Sequence, residues 1–312
     1  MKKSEQAKAT RLDRRGIPDK YKVFLFALPF ILFCFIASYL PLWGWSYAFV
    51  TYRPGRALLD SPWRGLKNFT DIFGNPVLLK QIMGALKNTL GIQALSYLIM
   101  PLPMLFAIFL SEVRSKKFQK FVQTVTTLPH FISWVIMFSL AMALLGNRGL
   151  VNILLERLGK EPINVLYTTK NVWITQVALA FWKGLGWNSI VYFAAIAGID
   201  QEQYEAAMVD GASRMQKIWY ITIPNLMPTF VVLLVISIGS FLSTGLEQFQ
   251  VFSNAMNLDK IQTLDLYVYN LGLGGGKLSY GVAVGILTSI VAIILVSFAN
   301  WFSKKVRGTS VF

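Results

Sequence analysis

Residues 23–43 read VFLFALPFILFCFIASYLPLW, a run of 21 residues without a charged side chain. The hydrocarbon core of a bilayer is about 30 Å thick, and a helix needs about 20 apolar residues to cross it. A segment in lipid has to satisfy its backbone groups internally, so each such run is predicted to be helical. The sequence therefore predicts an all-α membrane protein with six transmembrane helices. The other five runs hold at most one charged residue or histidine each: 88–110, 121–146, 171–199, 226–252 and 278–302.

The composition of the whole chain agrees with this interpretation. The chain has 312 residues, of which 54% are hydrophobic and 14% are charged, and its mean hydropathy is +0.51. Soluble domains carry about 25% charged residues, so a soluble α/β domain of this length is disfavoured. The formal net charge is +15, but the basic residues lie between the apolar runs rather than along one face. This pattern indicates contact with membrane lipid and no nucleic-acid partner.

The placement of Lys and Arg predicts the orientation of the spans, because cytoplasmic segments are enriched in basic residues. With both termini inside, the inner segments carry 17 Lys and Arg over 68 positions, and the outer segments carry 12 over 86. We therefore expect a multi-pass protein of the cytoplasmic membrane with both termini cytoplasmic. Its parts are a basic tail over 1–22, a transmembrane domain over 23–302 and a tail over 303–312. The first run exceeds the 7–15 or so residues of a cleaved signal peptide and is interpreted as an uncleaved span.

The segment between the fourth and fifth spans differs from the other inner segments, because its acids outnumber its bases. Residues 201–214 read QEQYEAAMVDGASR. The two alanines favour a helix, and Gly211 suits the left-handed turn that ends one. Ser213 would cap a second short helix that ends by Pro224. A helix resting on lipid headgroups would carry Lys and Arg on its polar face, so the acidic loop indicates a docking element for another protein.

The spacing of this loop resembles the EAA loop of binding-protein-dependent ABC importer permeases, E-A-A-x-x-D-G-A followed by I-x-L-P. The match includes one mild departure, an isoleucine in place of the leucine. That departure is Ile223, and the matching residues are Glu205, Ala206, Ala207, Asp210, Gly211, Ala212, Ile221 and Pro224. Three further segments, 65–69, 88–90 and 128–134, resemble the sugar-permease branch of this family. Within that branch, they resemble the subgroup for complex oligosaccharides or polysaccharide fragments.

The resemblance implies the fold of a type I ABC importer permease and an import function. Such a permease pairs with a second, often different, permease over two cytoplasmic ATPase subunits, and an extracytoplasmic solute-binding protein or lipoprotein delivers the oligosaccharide. The EAA loop over 201–224 would couple the subunits, with residues 201–214 seated in a groove on the ATPase. Gly211 would be the elbow, while Glu205 and Asp210 would bond to the ATPase or cap the loop. ATP and Mg²⁺ would bind the ATPases, and no cofactor is expected in this chain.

Polar side chains within the fifth span are candidates for a solute pathway. Glu247 lies there beside Gln248 and Gln250. A charge inside the membrane costs about 2.5 kcal/mol or more, so such residues commonly face a cavity or a partner. The alternative is that the span ends near Gly245 and leaves Glu247 at the outer interface.

Residues of the third and fourth spans are further candidates for the same pathway. Trp134, Trp182, Trp187 and Tyr192 would suit stacking on the C–H faces of sugar rings, although Trp and Tyr also form interfacial belts in any membrane protein. Lys183 either faces the pathway or extends its charge to the interface. His130 is interpreted as part of a helix break after Pro129.

Chemistry on the substrate is not predicted, so the chain is interpreted as a transport subunit rather than an enzyme. It has one histidine and one cysteine, Cys34, and no metal site or activated nucleophile is expected. The run LGLGGGKL over 271–278 lacks the first glycine and the Ser/Thr of a phosphate loop. The alternative is a secondary transporter of a polar solute, which would carry its own coupling-ion site; only Glu247 and Lys183 are candidates.

Overall fold

A computed structural model describes residues 19–307. The predicted tail over 1–22 lies mostly outside the described residues, as does the end of the tail over 303–312. The α-helices are α1 (Asp19–Tyr39), α2 (Lys67–Gly74), α3 (Pro76–Ile99), α4 (Leu102–Ser111), α5 (Lys116–Thr127), α6 (Trp134–Leu145), α7 (Leu150–Arg157), α8 (Val172–Ala197), α9 (Gln201–Val209), α10 (Arg214–Lys217), α11 (Ile223–Gly239), α12 (Leu246–Phe252), α13 (Leu258–Ile261), α14 (Leu264–Tyr269) and α15 (Leu278–Arg307). Shorter helical turns are the 3₁₀ segments Leu40–Phe49, Leu58–Asp60 and Leu128–Phe131 and the π segments Ile218–Thr222 and Asn270–Gly274. The all-α prediction is confirmed.

Five stretches of helix are long and apolar enough to cross a membrane, and they coincide with or overlap five of the predicted spans. The remaining prediction, 171–199, corresponds to α8. This helix has 26 residues and is therefore about 39 Å long, enough to span a bilayer. Gln176, Lys183 and Asn188 lower its mean hydropathy, and it packs against α3, α4, α5 and α11. The five apolar stretches are Tyr21–Phe49, Pro76–Ser111, Trp134–Arg157, Arg214–Gly239 and Leu278–Phe298.

Prolines divide two of the predicted spans, as their sequence positions indicate. The span over 88–110 is shared between α3 and α4, which are separated at Pro101. The span over 121–146 is shared between α5 and α6, with a 3₁₀ turn at Pro129 and the start of α6 capped by Ser133. Proline lacks the N–H that would continue the helical ladder, so the chain changes direction at these points.

The fifth span departs from the prediction. A single helix over 226–252 is wrong, because α11 ends at Gly239 and α12 begins at Leu246. This break contains no proline. It is held by contacts with α14, 20 residues or more further along the chain, and local sequence gives no sign of such contacts.

The backbones of α8 and α5 touch at Gly186. A Cβ atom built on this buried glycine would lie 2.4 Å from the carbonyl carbon and oxygen of Thr126. A few residues further along α8, the Ser189 hydroxyl donates to the carbonyl oxygen of Pro103 in α4 at 3.0 Å. These close contacts place α8 at the centre of the bundle.

A polar cluster fastens α2 to the start of α15. The Arg64 guanidinium forms an ion pair with Asp71 at 3.0 Å, and the Tyr280 hydroxyl donates to the same carboxylate at 3.2 Å. The hydrogen bond with Tyr280, together with the charge of Asp71, raises the pKa of Arg64. The Asn68 amide, buried beside this cluster, donates to the carbonyl oxygens of Ala48 and Val50. The predicted motif over 65–69 is thus a structural anchor for this end of the bundle.

Candidate functional site

The acidic segment after α8 folds as a helix followed by a tight left-handed turn. Asp200 caps the start of α9, where its carboxylate accepts a backbone N–H at 3.0 Å. At the end of α9, the Gly211 N–H donates to the Met208 carbonyl at 3.1 Å and the Ala212 N–H donates to the Ala207 carbonyl at 2.8 Å. This pair of bonds forms a Schellman motif, in which the first of the two donor residues, Gly211, adopts the left-handed conformation. Gly211 has φ +75°, so the predicted elbow is confirmed.

A second short helix leads from the elbow into α11. Ser213 and Gln216 form a capping box at the start of α10, which confirms the predicted cap. Beyond α10 the chain does not leave helical geometry. The Ile223 N–H donates to the carbonyl of Ile218, five residues back, and this π turn brings Pro224 into the first turn of α11. Proline is tolerated at that position because the π turn already interrupts the regular i→i−4 hydrogen-bond ladder there.

Side-chain hydrogen bonds tie α9 to the start of α11. The hydroxyls of Tyr204 and Thr222 lie 2.9 Å apart, and the Asn225 amide donates to the Gln203 side chain at 3.1 Å. Residues about 20 positions apart are joined here, so sequence spacing alone does not predict the contact. These bonds join α9 to the π turn and to the first turn of α11.

The outer surface of this helical pair combines acids with large exposed apolar side chains. Glu205, Ala206 and Asp210 are exposed, and Val209 is 89% exposed. Exposed apolar groups rimmed by charge are typical of a protein-binding surface. The further large apolar side chains exposed on α9, α10 and the π turn are Met208, Met215, Trp219 and Tyr220.

The predicted pathway residues on α12 divide between two faces. Glu247 and Gln250, one turn apart, are exposed. Gln248 is 5% exposed, and its amide nitrogen donates to the side-chain and backbone oxygens of Gln176 in α8, both at 2.9 Å. Gln248 therefore joins α12 to α8 instead of lying on the exposed face.

The aromatic candidates lie around the break between α5 and α6. The Trp187 ring stacks on His130 at a centroid distance of 4.3 Å and an angle of 1°, and Trp134 packs edge-on against Phe252. The Lys183 ammonium donates to the His130 carbonyl oxygen at 2.6 Å and lies 5.4 Å from the centroid of the Trp134 ring. Trp182, on the same helix, is about half exposed.

A cavity of about 510 Å³ lies between α3, α4, α8 and α11. Of the predicted pathway residues, Trp187 and Tyr192 contribute to its lining and the others do not. Sequence reasoning missed the polar residues of α3 in this wall, although their i, i+3, i+4 spacing marks one helix face. The polar and aromatic lining residues are Gln93, Ser96, Tyr97, Phe181, Trp187, Asn188, Tyr192, Ser237 and Ser240.

The break between α11 and α12 is held by a carboxylate of α14. One oxygen of Asp265 accepts from the Ser243 hydroxyl at 3.2 Å and from the backbone N–H groups of Thr244 and Gly245 at 2.8 and 3.3 Å. These bonds give an acceptor to backbone N–H groups just before α12, which have no partner within a helix. Asp265 therefore fixes the position from which α12 projects Glu247.

Removal of this carboxylate is expected to destabilise the bundle. Hydrogen bonds to a charged group are worth about 1.5–3 kcal/mol, so Asp265→Ala should lower the melting temperature of the detergent-solubilised protein by several degrees. Asp265→Asn keeps one acceptor and should cost less. The matched control is Asp259→Ala, because Asp259 is exposed in the neighbouring helix α13. Equal melting temperatures for Asp265→Ala and Asp259→Ala would contradict the assigned role.

Comparison with known proteins places this geometry in a transport context. Residues 99–308 match the family described as binding-protein-dependent transport system inner membrane component. The polygalacturonan/rhamnogalacturonan transport system permease protein YteP of Bacillus subtilis (strain 168) is 40% identical, over 96% of this chain and 93% of its own length. Protein LplB of the same organism is 38% identical, over 94% and 92%.

A solved structure shares the fold over nearly the whole chain. It is a chain of a bacterial ABC transporter involved in the import of the acidic polysaccharide alginate, with a TM-score of 0.82 and 35% identity, covering 93% of this chain and 97% of its own. A structure of bacterial alginate ABC transporter in complex with an alginate pentasaccharide-bound periplasmic protein matches equally well, with a TM-score of 0.82.

Proposed function

The chain belongs to the family of binding-protein-dependent transport system inner membrane components, and on that premise we propose that it is a permease subunit of an ATP-driven importer of oligosaccharides or polysaccharide fragments. The observation that carries the proposal is the acidic helical pair over 201–224, exposed and hydrogen-bonded to α11. The names of the relatives, which concern polygalacturonan, rhamnogalacturonan and alginate, support a polysaccharide-derived solute. Family membership favours this function over secondary transport.

The proposed assembly contains a second permease, two cytoplasmic ATPases that bind ATP and Mg²⁺, and an extracytoplasmic solute-binding protein. It lies in the cytoplasmic membrane with both termini of this chain inside. In this arrangement α9 docks on an ATPase, with Glu205 and Asp210 facing basic groups of that partner. ATP binding closes the ATPases and draws the two docked helices together. Since α9 is bonded to α11, the closure moves α11 and switches the bundle between inward-open and outward-open states.

The cavity beside α11 supplies contacts suited to a sugar. Hydroxyls and amides of Gln93, Ser237 and Asn188 line it together with aromatic rings. A sugar presents hydroxyl groups that exchange hydrogen bonds with such side chains and C–H faces that pack on aromatic rings. The movement of α11 would open this cavity alternately to the two sides of the membrane.

Reconstitution of the complete importer tests the proposal. The chain is co-expressed with a second permease, an ATPase and a solute-binding protein from the same organism, and the complex is placed in proteoliposomes. We expect ATP hydrolysis to rise several-fold when the binding protein and an oligosaccharide are both present, and we expect none from the purified chain alone. Substantial hydrolysis by the isolated chain, or uptake driven by an ion gradient without ATP, would overturn the assignment.

The exposed face of α12 is expected to affect flux rather than folding. Loss of a hydrogen bond to a sugar hydroxyl costs about 0.5–1.5 kcal/mol, so Glu247→Ala and Gln250→Ala should lower solute-stimulated ATP hydrolysis a few-fold at low solute. Basal hydrolysis should stay unchanged. Gln248→Ala leaves the buried Gln176 amide without its partner and should instead lower the melting temperature. If the two exposed variants match the unmutated complex in both rates, Glu247 and Gln250 lie outside the pathway.

A further inference from the structure

Lys183 is a positive charge near the middle of α8, the central helix of the bundle. The helices packed around α8 include parts of the apolar stretches Pro76–Ser111 and Arg214–Gly239. A basic side chain at membrane depth costs roughly 2.5–3.5 kcal/mol by insertion scales, and such residues usually face a partner, a cavity or a substrate path. The position of Lys183 therefore calls for a compensating group.

The described residues supply only part of that compensation. The ammonium donates one hydrogen bond to the His130 carbonyl oxygen at 2.6 Å and lies over the Trp134 ring at 5.4 Å. Within residues 19–307, no Asp or Glu oxygen comes within 4.0 Å of it. An ammonium has three N–H donors, so two remain for another acceptor. The side chain is partly exposed and is thus accessible to one.

The surroundings of Lys183 also provide flat apolar surfaces. Trp134 lies beside the ammonium, and Trp187, one turn further along α8, is half exposed although one face of its ring is stacked on His130. Aromatic faces suit the C–H surface of a sugar ring, and an ammonium in a region of low dielectric attracts a carboxylate far more strongly than it does in water. The ammonium and the aromatic rings therefore offer two kinds of contact to a sugar that carries a carboxylate group.

We propose that Lys183 is a specificity-determining residue that binds the carboxylate of a uronate-containing oligosaccharide during its passage. The proposal rests on the import function proposed above and adds the chemical class of the solute. In this proposal, the carboxylate accepts hydrogen bonds from the two remaining N–H groups of the ammonium. The third N–H stays bonded to the His130 carbonyl oxygen. An uncharged sugar of the same size gains only the aromatic contacts.

The competing role for Lys183 is purely structural. The carbonyl of His130 lies in the 3₁₀ turn at Pro129, where regular helical donors are missing, and Lys183 would serve only to satisfy it. A structural cap affects stability and the transport of every solute equally. A carboxylate-binding residue affects acidic solutes selectively, and this difference decides between the two roles.

The test uses the complete importer with its binding protein in proteoliposomes and four probes. Trigalacturonate and trimannuronate are acidic, and galactotriose and mannotriose are their neutral counterparts. The variants are Lys183→Gln, which removes the charge, and Lys183→Arg, which keeps it. The matched control is Lys170→Gln, because Lys170 is an exposed lysine just before α8. Solute-stimulated ATP hydrolysis, basal hydrolysis and melting temperature are measured for each.

We expect an acidic probe to stimulate the unmutated importer, and we expect Lys183→Gln to reduce that stimulation about tenfold at low solute. Lys183→Arg and Lys170→Gln should keep the stimulation by acidic probes within about threefold of the unmutated importer, and Lys170→Gln should also leave basal hydrolysis and the melting temperature unchanged. Equal stimulation in Lys183→Gln and the unmutated complex would overturn the proposal. An equal loss of stimulation by acidic and neutral probes in Lys183→Gln would also overturn it, in favour of the structural cap. Stimulation by neutral probes alone would overturn it and leave the import function intact, whereas no response to any probe would count against the import function itself.

Discussion

Gly211→Pro should abolish solute-stimulated ATP hydrolysis in an importer that still assembles in the membrane. Gly211 has φ +75°, whereas proline fixes φ near about −65° and has no N–H to donate. The bond from Gly211 to the Met208 carbonyl and the reversal of the chain after α9 are both lost. The chain over 201–214 then no longer holds α9 in the position from which we propose that it docks on the ATPase. We expect a loss of at least about tenfold in stimulation, measured with the binding protein at saturation.

An equivalent turn elsewhere in the chain provides the control. Gly159 follows α7 with φ +67°, and the bonds from Gly159 to Glu156 and from Lys160 to Leu155 repeat the same pattern. Gly159→Pro should therefore disturb folding locally to a similar degree without affecting coupling. Gly211→Asn should retain most activity, because asparagine tolerates the left-handed region. Normal coupling in Gly211→Pro, or equal loss in both proline variants, would show that the α9 turn has no special role.

Gly186→Val is expected to be the most destabilising single change in the bundle. Its Cβ atom would lie 2.4 Å from the Thr126 carbonyl group, and backbone atoms cannot move aside as a flexible side chain can. Helices α8 and α5 would have to separate. Overpacking of this kind typically costs about 1–3 kcal/mol and sometimes more. We expect the apparent melting temperature in detergent to fall by roughly 5–10 °C, with poor assembly of the complex.

The matched control lies one half-turn away on the same helix. At Gly184 an added Cβ would meet only the side-chain nitrogen of Asn188, at 3.0 Å, and that side chain is free to shift. Gly184→Ala should leave the melting temperature within a few degrees of the unmutated protein. If Gly186→Val melts like Gly184→Ala, the close contact between α8 and α5 is not required for the fold.

Local sequence was sufficient to predict much of the fold and of the acidic loop. Apolar runs of membrane-spanning length identify α1 and α15, because lipid contact demands an uninterrupted apolar surface. Prolines identify the breaks near Pro101 and Pro129. The elbow at Gly211 and the cap at Ser213 follow from backbone preferences that act within a few residues. These features depend on neighbours in the chain and are therefore predictable from it.

Contacts between distant residues account for the rest. The break after α11 depends on Asp265, and the burial of Gln248 depends on Gln176, 72 positions away. A polar residue in an apolar run looks the same whether it lines a pathway or bonds to another helix, so Gln248 was grouped with its exposed neighbours. The polar residues of α3 that line the cavity were missed because only the folded structure brings them next to α8 and α11.

Cross-linking from α9 tests the central claim, that this helix docks on a cytoplasmic ATPase, and it does not require the solute to be known. Cys34 is replaced by serine, and a single cysteine is introduced by Ala206→Cys in the complete importer within membranes. The control is Leu59→Cys, at a side chain that is 91% exposed in the segment predicted to lie outside. With a short bismaleimide and an ATPase that carries single cysteines in its surface groove, we predict a cross-link from position 206 and none from position 59. A cross-link from position 59 with none from position 206 would contradict both the docking role and the orientation.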